Sequence, residues 1–397
     1  MSNNVNYSFR LDGVATGDSF GRAIYCNDYD GNGKDDLYIS ATQTDYTGSG
    51  SGSLYIIGDT VFSAFPNGSI QTLTNNTGFT LRIDGAAAND VFGASLLIHD
   101  FNNDSHADLV IGASETSDVS AARLGMYYLI DSSKYFGYTT EGNVLSVVSG
   151  NNIYNARFTF SDRYYMGRLD AVAANFTNEN GSDLILISDL GGYPTEYRGY
   201  VHIIPSSVVL NNYADSEKDI SLDDPDNYFL KIYGEPSTPY YAGDQEIGRG
   251  AGVRVIDVNS DNLDDLVISA SWSHYAAYQS GSLIIIDHTA IAGLEGNGHS
   301  LTPSDLLRRR YDGGYRHFFG DDLVVTDLNG DDSNDLLIGA QGTGYVASYG
   351  GSVYVVYNFP HTVSLDPLPA HTKQDSFALT GSVSAPNSVT NIAGVES

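Results

Sequence analysis

A chain of 397 residues that is 41% hydrophobic can bury a substantial core, which excludes a disordered polymer. Its 49 acidic against 19 basic residues give a formal charge of −30, which repels nucleic acid and excludes it as a partner. The single cysteine, Cys26, excludes a disulfide framework and a cysteine-based zinc cluster, and in its apolar stretch it reads as a small buried hydrophobe.

At the amino terminus, Met1-Ser-Asn-Asn-Val-Asn6 shows no basic stretch followed by an apolar one. Either export uses another signal or the sequence is a piece of a longer one. No apolar run is long enough to span a membrane, so membrane insertion is not expected. A first strand-like run, Phe9-Arg-Leu-Asp-Gly13, precedes a unit that recurs five times. Each copy opens on a short run with a glycine, at Phe20-Gly21, Phe92-Gly93, Met166-Gly167, Ile247-Gly248 and Phe319-Gly320. An Asp/Asn-rich loop follows, at Asp28–Asp36, Asp100–Asp108, Asn175–Asp183, Asp257–Asp265 and Asp327–Asp335, the starts lying 72, 75, 82 and 70 residues apart.

Next comes an apolar run ending in small residues, such as Leu37-Tyr-Ile-Ser-Ala41 and Leu109-Val-Ile-Gly-Ala113. A third run opens on glycine, as in Gly52-Ser-Leu-Tyr-Ile-Ile57 and Gly281-Ser-Leu-Ile-Ile-Ile286. A fourth closes the unit, as in Phe79-Thr-Leu-Arg-Ile-Asp-Gly85, Leu307-Arg-Arg-Arg-Tyr-Asp-Gly313 and Phe377-Ala-Leu-Thr-Gly381. Forty-three glycines against 11 prolines fit short strands and tight turns. The second and third runs are apolar at successive positions, as in strands covered on both faces. The expected fold is all-β: a β-propeller of four-stranded antiparallel blades, with a linear array of small β domains as the alternative. Five repeats and a partial sixth are visible, and residues 1–397 read as one domain.

The repeat resembles the FG-GAP unit of integrin α-subunit heads and bacterial surface proteins. The third copy departs most, with Asn175, Thr177 and Glu179 in place of aspartates and Met166 in place of phenylalanine. The resemblance implies six or seven blades in a complete ring, which leaves truncation or a partial ring open.

Positions 1, 3, 5 and 9 of each loop carry side-chain oxygens, and carboxylates this close repel one another unless a divalent ion compensates them. Position 12 is not the glutamate of an EF-hand, so the loop closes at position 9. The resemblance implies a Ca2+ ligand set of Asp28, Asp30, Asn32, the Lys34 carbonyl and Asp36 in the first loop. The second set is Asp100, Asn102, Asp104, the His106 carbonyl and Asp108. The fourth is Asp257, Asn259, Asp261, the Leu263 carbonyl and Asp265, and the fifth Asp327, Asn329, Asp331, the Ser333 carbonyl and Asp335. The third loop keeps only Glu179 and Asp183 as carboxylates and is not expected to hold an ion. About four calcium sites point to an extracellular or cell-surface setting.

Loops between strands two and three, and between repeats, should emerge opposite the calcium loops. They carry Tyr46, Tyr193, Tyr197, Trp272, Tyr275, Tyr278, Tyr345 and Tyr349, with Tyr240, Tyr241 and Tyr315 between repeats. Aromatics favour recognition surfaces, although packing between blades explains them equally well. Arg308-Arg309-Arg310 reads as charge guarding an outer strand edge. No His-Glu-x-x-His pair or Gly-x-Ser-x-Gly elbow is present, so a non-enzymatic adhesion module binding a glycan or protein is expected. The alternatives are a structural subunit that binds other copies of itself and the accessory propeller of a larger secreted enzyme.

Overall fold

The computed structural model describes residues 7–114, 125–160, 171–177, 179, 181–188, 198–213, 217–234, 247–250, 252–257, 263–306, 308–331, 333–343 and 350–357. The fold is all-β, with only short helical turns among the described residues. The first repeat contributes strands Phe20–Asn27, Asp36–Ala41, Ser53–Ile57 and Leu81–Asp84. The second contributes Phe92–His99, Asp108–Ala113, Met126–Ile130 and Ala156–Thr159. In both, the four strands lie side by side in chain order and antiparallel. The third repeat places Val172–Ala174, Asp183–Ser188, Tyr200–Ile204 and Leu230–Tyr233 in the same order. The fourth has Val253–Ile256, Asp265–Ala270, Ser282–Ile286 and Arg308–Asp312, and the fifth Phe319–Thr326, Asp335–Ala340 and Ser352–Val356. The run at Phe377–Gly381 lies outside the described residues.

In the first four repeats the second and third strands are covered on both faces, as their unbroken apolar runs predict: all of Ser53–Ile57, Asp108–Ala113 and Ser282–Ile286 is buried, whereas Ser352–Val356 of the fifth stays partly open. Cys26 is different. It is exposed, not buried as its apolar neighbours suggested, because Phe20–Asn27 alternates and Cys26 falls on an outward position.

The recurring Phe-Gly pair is a bulge. The ladder slips just after Phe20, Phe92 and Phe319, and the glycines that follow have φ of 92°, 87° and 89°. That is left-handed backbone, which glycine enters without a Cβ penalty. A second glycine lets successive repeats touch. Gly52 forms a parallel bridge to Phe92, and a Cβ there would sit 2.2 Å from the Phe92 carbonyl oxygen. Gly281 meets Phe319 in the same way, with 2.2 Å to its amide nitrogen.

One element has no counterpart in the expected four-stranded unit. Between its third and fourth strands, each of the first four repeats sends out a short strand that pairs, parallel, with a preceding fourth strand. Ser69–Thr72 pairs with Phe9–Asp12, Asn143–Ser146 with Leu81–Asp84, Lys218–Ser221 with Ala156–Thr159, and His299–Leu301 with Leu230–Tyr233.

The chain divides into two compact units. One comprises Met1–Ala173, Glu179–Leu186 and Ile204–Asn227, and the other Ala174–Asn178, Ile187–Ile203 and Tyr228–Ser397. The first is centred on an apolar cluster that includes Tyr38, Leu54, Ile83, Phe92, Ile111 and Tyr128. The second has its own, with Val267, Leu283, Ile285, Phe319 and Ile338.

Candidate functional site

The ninth residue of every acidic loop is fully buried at the mouth of its second strand: Asp36, Asp108, Asp183, Asp265 and Asp335. Its oxygens are held by backbone amides. One accepts the N–H of loop position two, from Tyr29 at 2.7 Å, Phe101 at 2.9 Å and Leu328 at 2.9 Å. The other accepts the N–H of the second residue after the third strand, from Asp59, Ser132, Ser206 and His288 at 2.6–2.9 Å. Each such residue opens a short helical turn, so this carboxylate ties the acidic loop to the connection between strands three and four. The two loops therefore share one end of the sheet.

Within the loops, side-chain oxygens turn the backbone inward. Asp28 accepts from the Asn32 and Gly33 amides, and Asn32 Oδ1 accepts from the Lys34 amide. Asp100 repeats this with Asp104 and Ser105, and Asp327 with Asp331. In the first loop, Asp28, Asp30 and Asp36 each bring one oxygen within 4.8 Å of the others. This donor set is all oxygen and mostly anionic, which suits a hard divalent cation. Desolvation pushes the Asp36 carboxyl up from its ordinary value and that of Asp108 to about 6, against the hydrogen bonds that favour their charged forms.

The third loop is spoken for. Glu179 accepts from the Ser206 hydroxyl, the Ser207 amide and the Ser207 hydroxyl at 2.6–3.0 Å, which leaves its carboxylate engaged with the helical turn. In the fourth loop, Asn259 and Asp261 lie outside the described residues.

Three participants escaped sequence reasoning. Asp59, from the connection between strands three and four, accepts from Lys34 Nζ at 2.8 Å and Asn32 Nδ2 at 2.9 Å, which holds its carboxyl below the usual range. It gives the first loop a carboxylate where that loop has Asn32 and the second has Asp104. Ser132 occupies the matching place in the second repeat and donates to Asp104 at 3.2 Å. Tyr213 donates its hydroxyl to Asp108 at 2.7 Å, from 105 residues away. The repeat itself was the available signal, because all three follow a third strand.

At the other end of the sheets, the expected tyrosines separate into two kinds. Tyr46 lies under the Arg82 guanidinium at 3.4 Å, and Tyr275 under that of Arg310 at 4.0 Å. Both arginines pair with an aspartate two residues on, Asp84 and Asp312, and each aspartate accepts from a buried serine hydroxyl at 2.7 Å. Tyr46 and Tyr275 are therefore built into the sheet ends. Arg310 is a packed element rather than an edge guard, with its side chain 18% exposed. Tyr278 and Tyr315 pair with each other at 6.0 Å, and Trp272 meets Phe318 at 5.2 Å. Tyr193, Tyr197, Tyr240, Tyr241, Tyr345 and Tyr349 lie outside the described residues.

No known family model matches the chain. It is 28% identical over 266 residues to a phosphatidylinositol-glycan-specific phospholipase D of Dictyostelium discoideum, a match covering 62% of this chain and 25% of that protein. It is 35% identical over 136 residues to a protein of the same name from Rattus norvegicus, covering 32% and 15%. The chain spans a quarter or less of these curated relatives. These matches correct the expectation of a non-enzymatic protein, because both relatives are named as enzymes. Motifs within this chain alone do not carry that exclusion, because the relatives extend far beyond the matched span. No helix among the described residues is long and apolar enough to cross a membrane.

Proposed function

We propose that this chain is the calcium-stabilised repeat portion of an extracellular phospholipase D-type system that acts on phosphatidylinositol-glycans. On this reading its sheets are blades of an FG-GAP-type propeller. The observation that carries the proposal is the pair of partial matches, from two distant organisms, to proteins of one activity. Both matches take up a minor part of the relative, as a module of a longer enzyme does. Asp28, Asp30, Asn32 and Asp36 would hold the first ion, and the corresponding residues of the second and fifth loops two more. Calcium there neutralises carboxylates that otherwise repel, and joins the two connections at one end of each sheet.

The test is to mix the chain with detergent micelles carrying a phosphatidylinositol-glycan-anchored protein, with calcium and then with chelator. Co-sedimentation of chain and anchored protein, and release of phosphatidate, are followed together. The expected result is calcium-dependent association or release. Silence in both readouts from a folded chain overturns the reading.

A further inference from the structure

The loops that zip the first repeat to the second, and the fourth to the fifth, share one backbone. The Asn89 amide donates to the Ser49 carbonyl at 2.8 Å, and the Arg316 amide to the Tyr278 carbonyl at 2.9 Å. Val91 donates to Gly50 at 3.1 Å, and Phe318 to Gln279 at 3.2 Å. The unusual dihedrals match too: Asn89 and Arg316 have φ of 63° and 57°, Val91 and Phe318 of 55° and 52°, and Gly50 and Gln279 of 64° and 51°.

The side chains on this shared scaffold do not match. Where the first junction has Gln43, Asp45, Ser49, Ala88 and Asn89, the second has Trp272, His274, Tyr278, Tyr315 and Arg316. The scaffold folds with small and polar residues, so folding does not explain the aromatic and basic set. The second junction also keeps Gln279 at a left-handed position where the first uses glycine, and strain retained in this way is concentrated at functional sites.

We infer that Tyr278, Tyr315 and Arg316 form a binding platform for a glycan chain carrying a phosphate group. Tyr315 is 57% exposed, and its ring lies 6.0 Å from that of Tyr278 at 36°, so the pair presents tilted ring faces for the C–H face of a sugar. The Arg316 guanidinium carbon lies 5.6 Å from both ring centroids, within reach of an anion seated on the same sugar. With His274 in place of acidic Asp45 and Arg316 in place of neutral Asn89, this junction is two charges more positive than the first, in a chain of net charge −30. A phosphate group is drawn to such a patch and repelled by the remaining surface. The choice of a phosphorylated glycan rests on the proposed phosphatidylinositol-glycan reading, whereas the platform rests on the junction comparison alone.

The test is calorimetric titration of the whole chain with a phosphomannosyl oligosaccharide, its dephosphorylated counterpart and inorganic phosphate. The phosphorylated sugar should bind at least tenfold more tightly than either other probe. Tyr315→Ala should lose that binding, and Arg316→Gly, whose backbone suits its φ, should abolish the preference for phosphate while thermal unfolding stays unchanged. Asn89→Ala, at the first junction, should leave binding unaltered. No sugar binding by the wild type, equal affinity for the neutral sugar, or an equal loss in Asn89→Ala overturns the inference. A platform that binds sugar in a chain that fails the micelle assay overturns the phospholipase reading and leaves this one standing.

Discussion

Asp90 is buried in the turn before the second Phe-Gly pair, where its Oδ2 accepts the Ala87 amide at 2.7 Å. Desolvation pushes its carboxyl up to about 6. The folded value lies above the unfolded one, so this group's contribution to stability is complete below about pH 4 and is lost as the pH rises through about 6. Asp90→Asn should therefore stabilise the fold at pH 7 by up to about 3 kcal/mol, with the gain vanishing near pH 4. Denaturant melts at the two pH values would measure this, and an equal gain at both would contradict it. Gly52→Ala drives a Cβ into Phe92 backbone at a φ of 80°, and should cost about 2 kcal/mol or more in the same melts. Both roles are half-legible in sequence. Gly52 recurs at each third strand, but nothing nearby reveals that its partner is a backbone 40 residues on. The ninth-position aspartates were readable as a set because they recur in register. Tyr213 was not, since it acts on the loop of the preceding repeat, 105 residues away.

The parallel strand borrowed from the following repeat is followed at once by a buried apolar residue. Leu73, Val147 and Leu222 are each at most 1% exposed, and their amides donate to the carbonyls of Asp12, Asp84 and Thr159, the last residues of the strands they join. Outside these contacts a carboxylate clasp recurs: Glu141 accepts the Gly78 amide, and Glu217 accepts the amides of Gly150 and Asn152. Leu222→Ala should cost about 2–5 kcal/mol and raise hydrogen exchange in Ala156–Thr159 as well as in its own strand. Loss confined to the mutated repeat would show that the exchange carries no coupling. The four main strands were legible because their apolar runs are long and repeated. Segments such as Asn143-Val-Leu-Ser146 and Lys218-Asp-Ile-Ser221 were not, because four mixed residues carry no decisive period and their partner lies in another repeat.

Across the whole chain, an excess of 30 negative charges acts against compactness, and on the proposed reading calcium offsets part of it where carboxylates are densest. Chelation should lower the melting temperature, each occupied site contributing about 3 kcal/mol at a hundredfold excess of calcium over its Kd. Glu179→Gln should leave the calcium dependence of the melt unchanged, whereas Asp104→Asn should reduce it. Differential scanning calorimetry with and without calcium separates these outcomes, and a melt indifferent to calcium would remove the metal from the account.

The borrowed strand also sets where such a chain can be cut and rejoined. A boundary drawn between one fourth strand and the next Phe-Gly pair looks natural in the sequence, yet it strips the upstream piece of its parallel partner and leaves a bare edge prone to pairing with strangers. A breakpoint placed just after the borrowed strand, near Leu73, Val147 or Leu222, preserves that pairing but parts the third strand of the same repeat from its fourth. Grafts and shuffled arrays of these repeats should therefore stay soluble when the incoming piece restores the partner strand that the cut removed, and should aggregate when it leaves either edge bare.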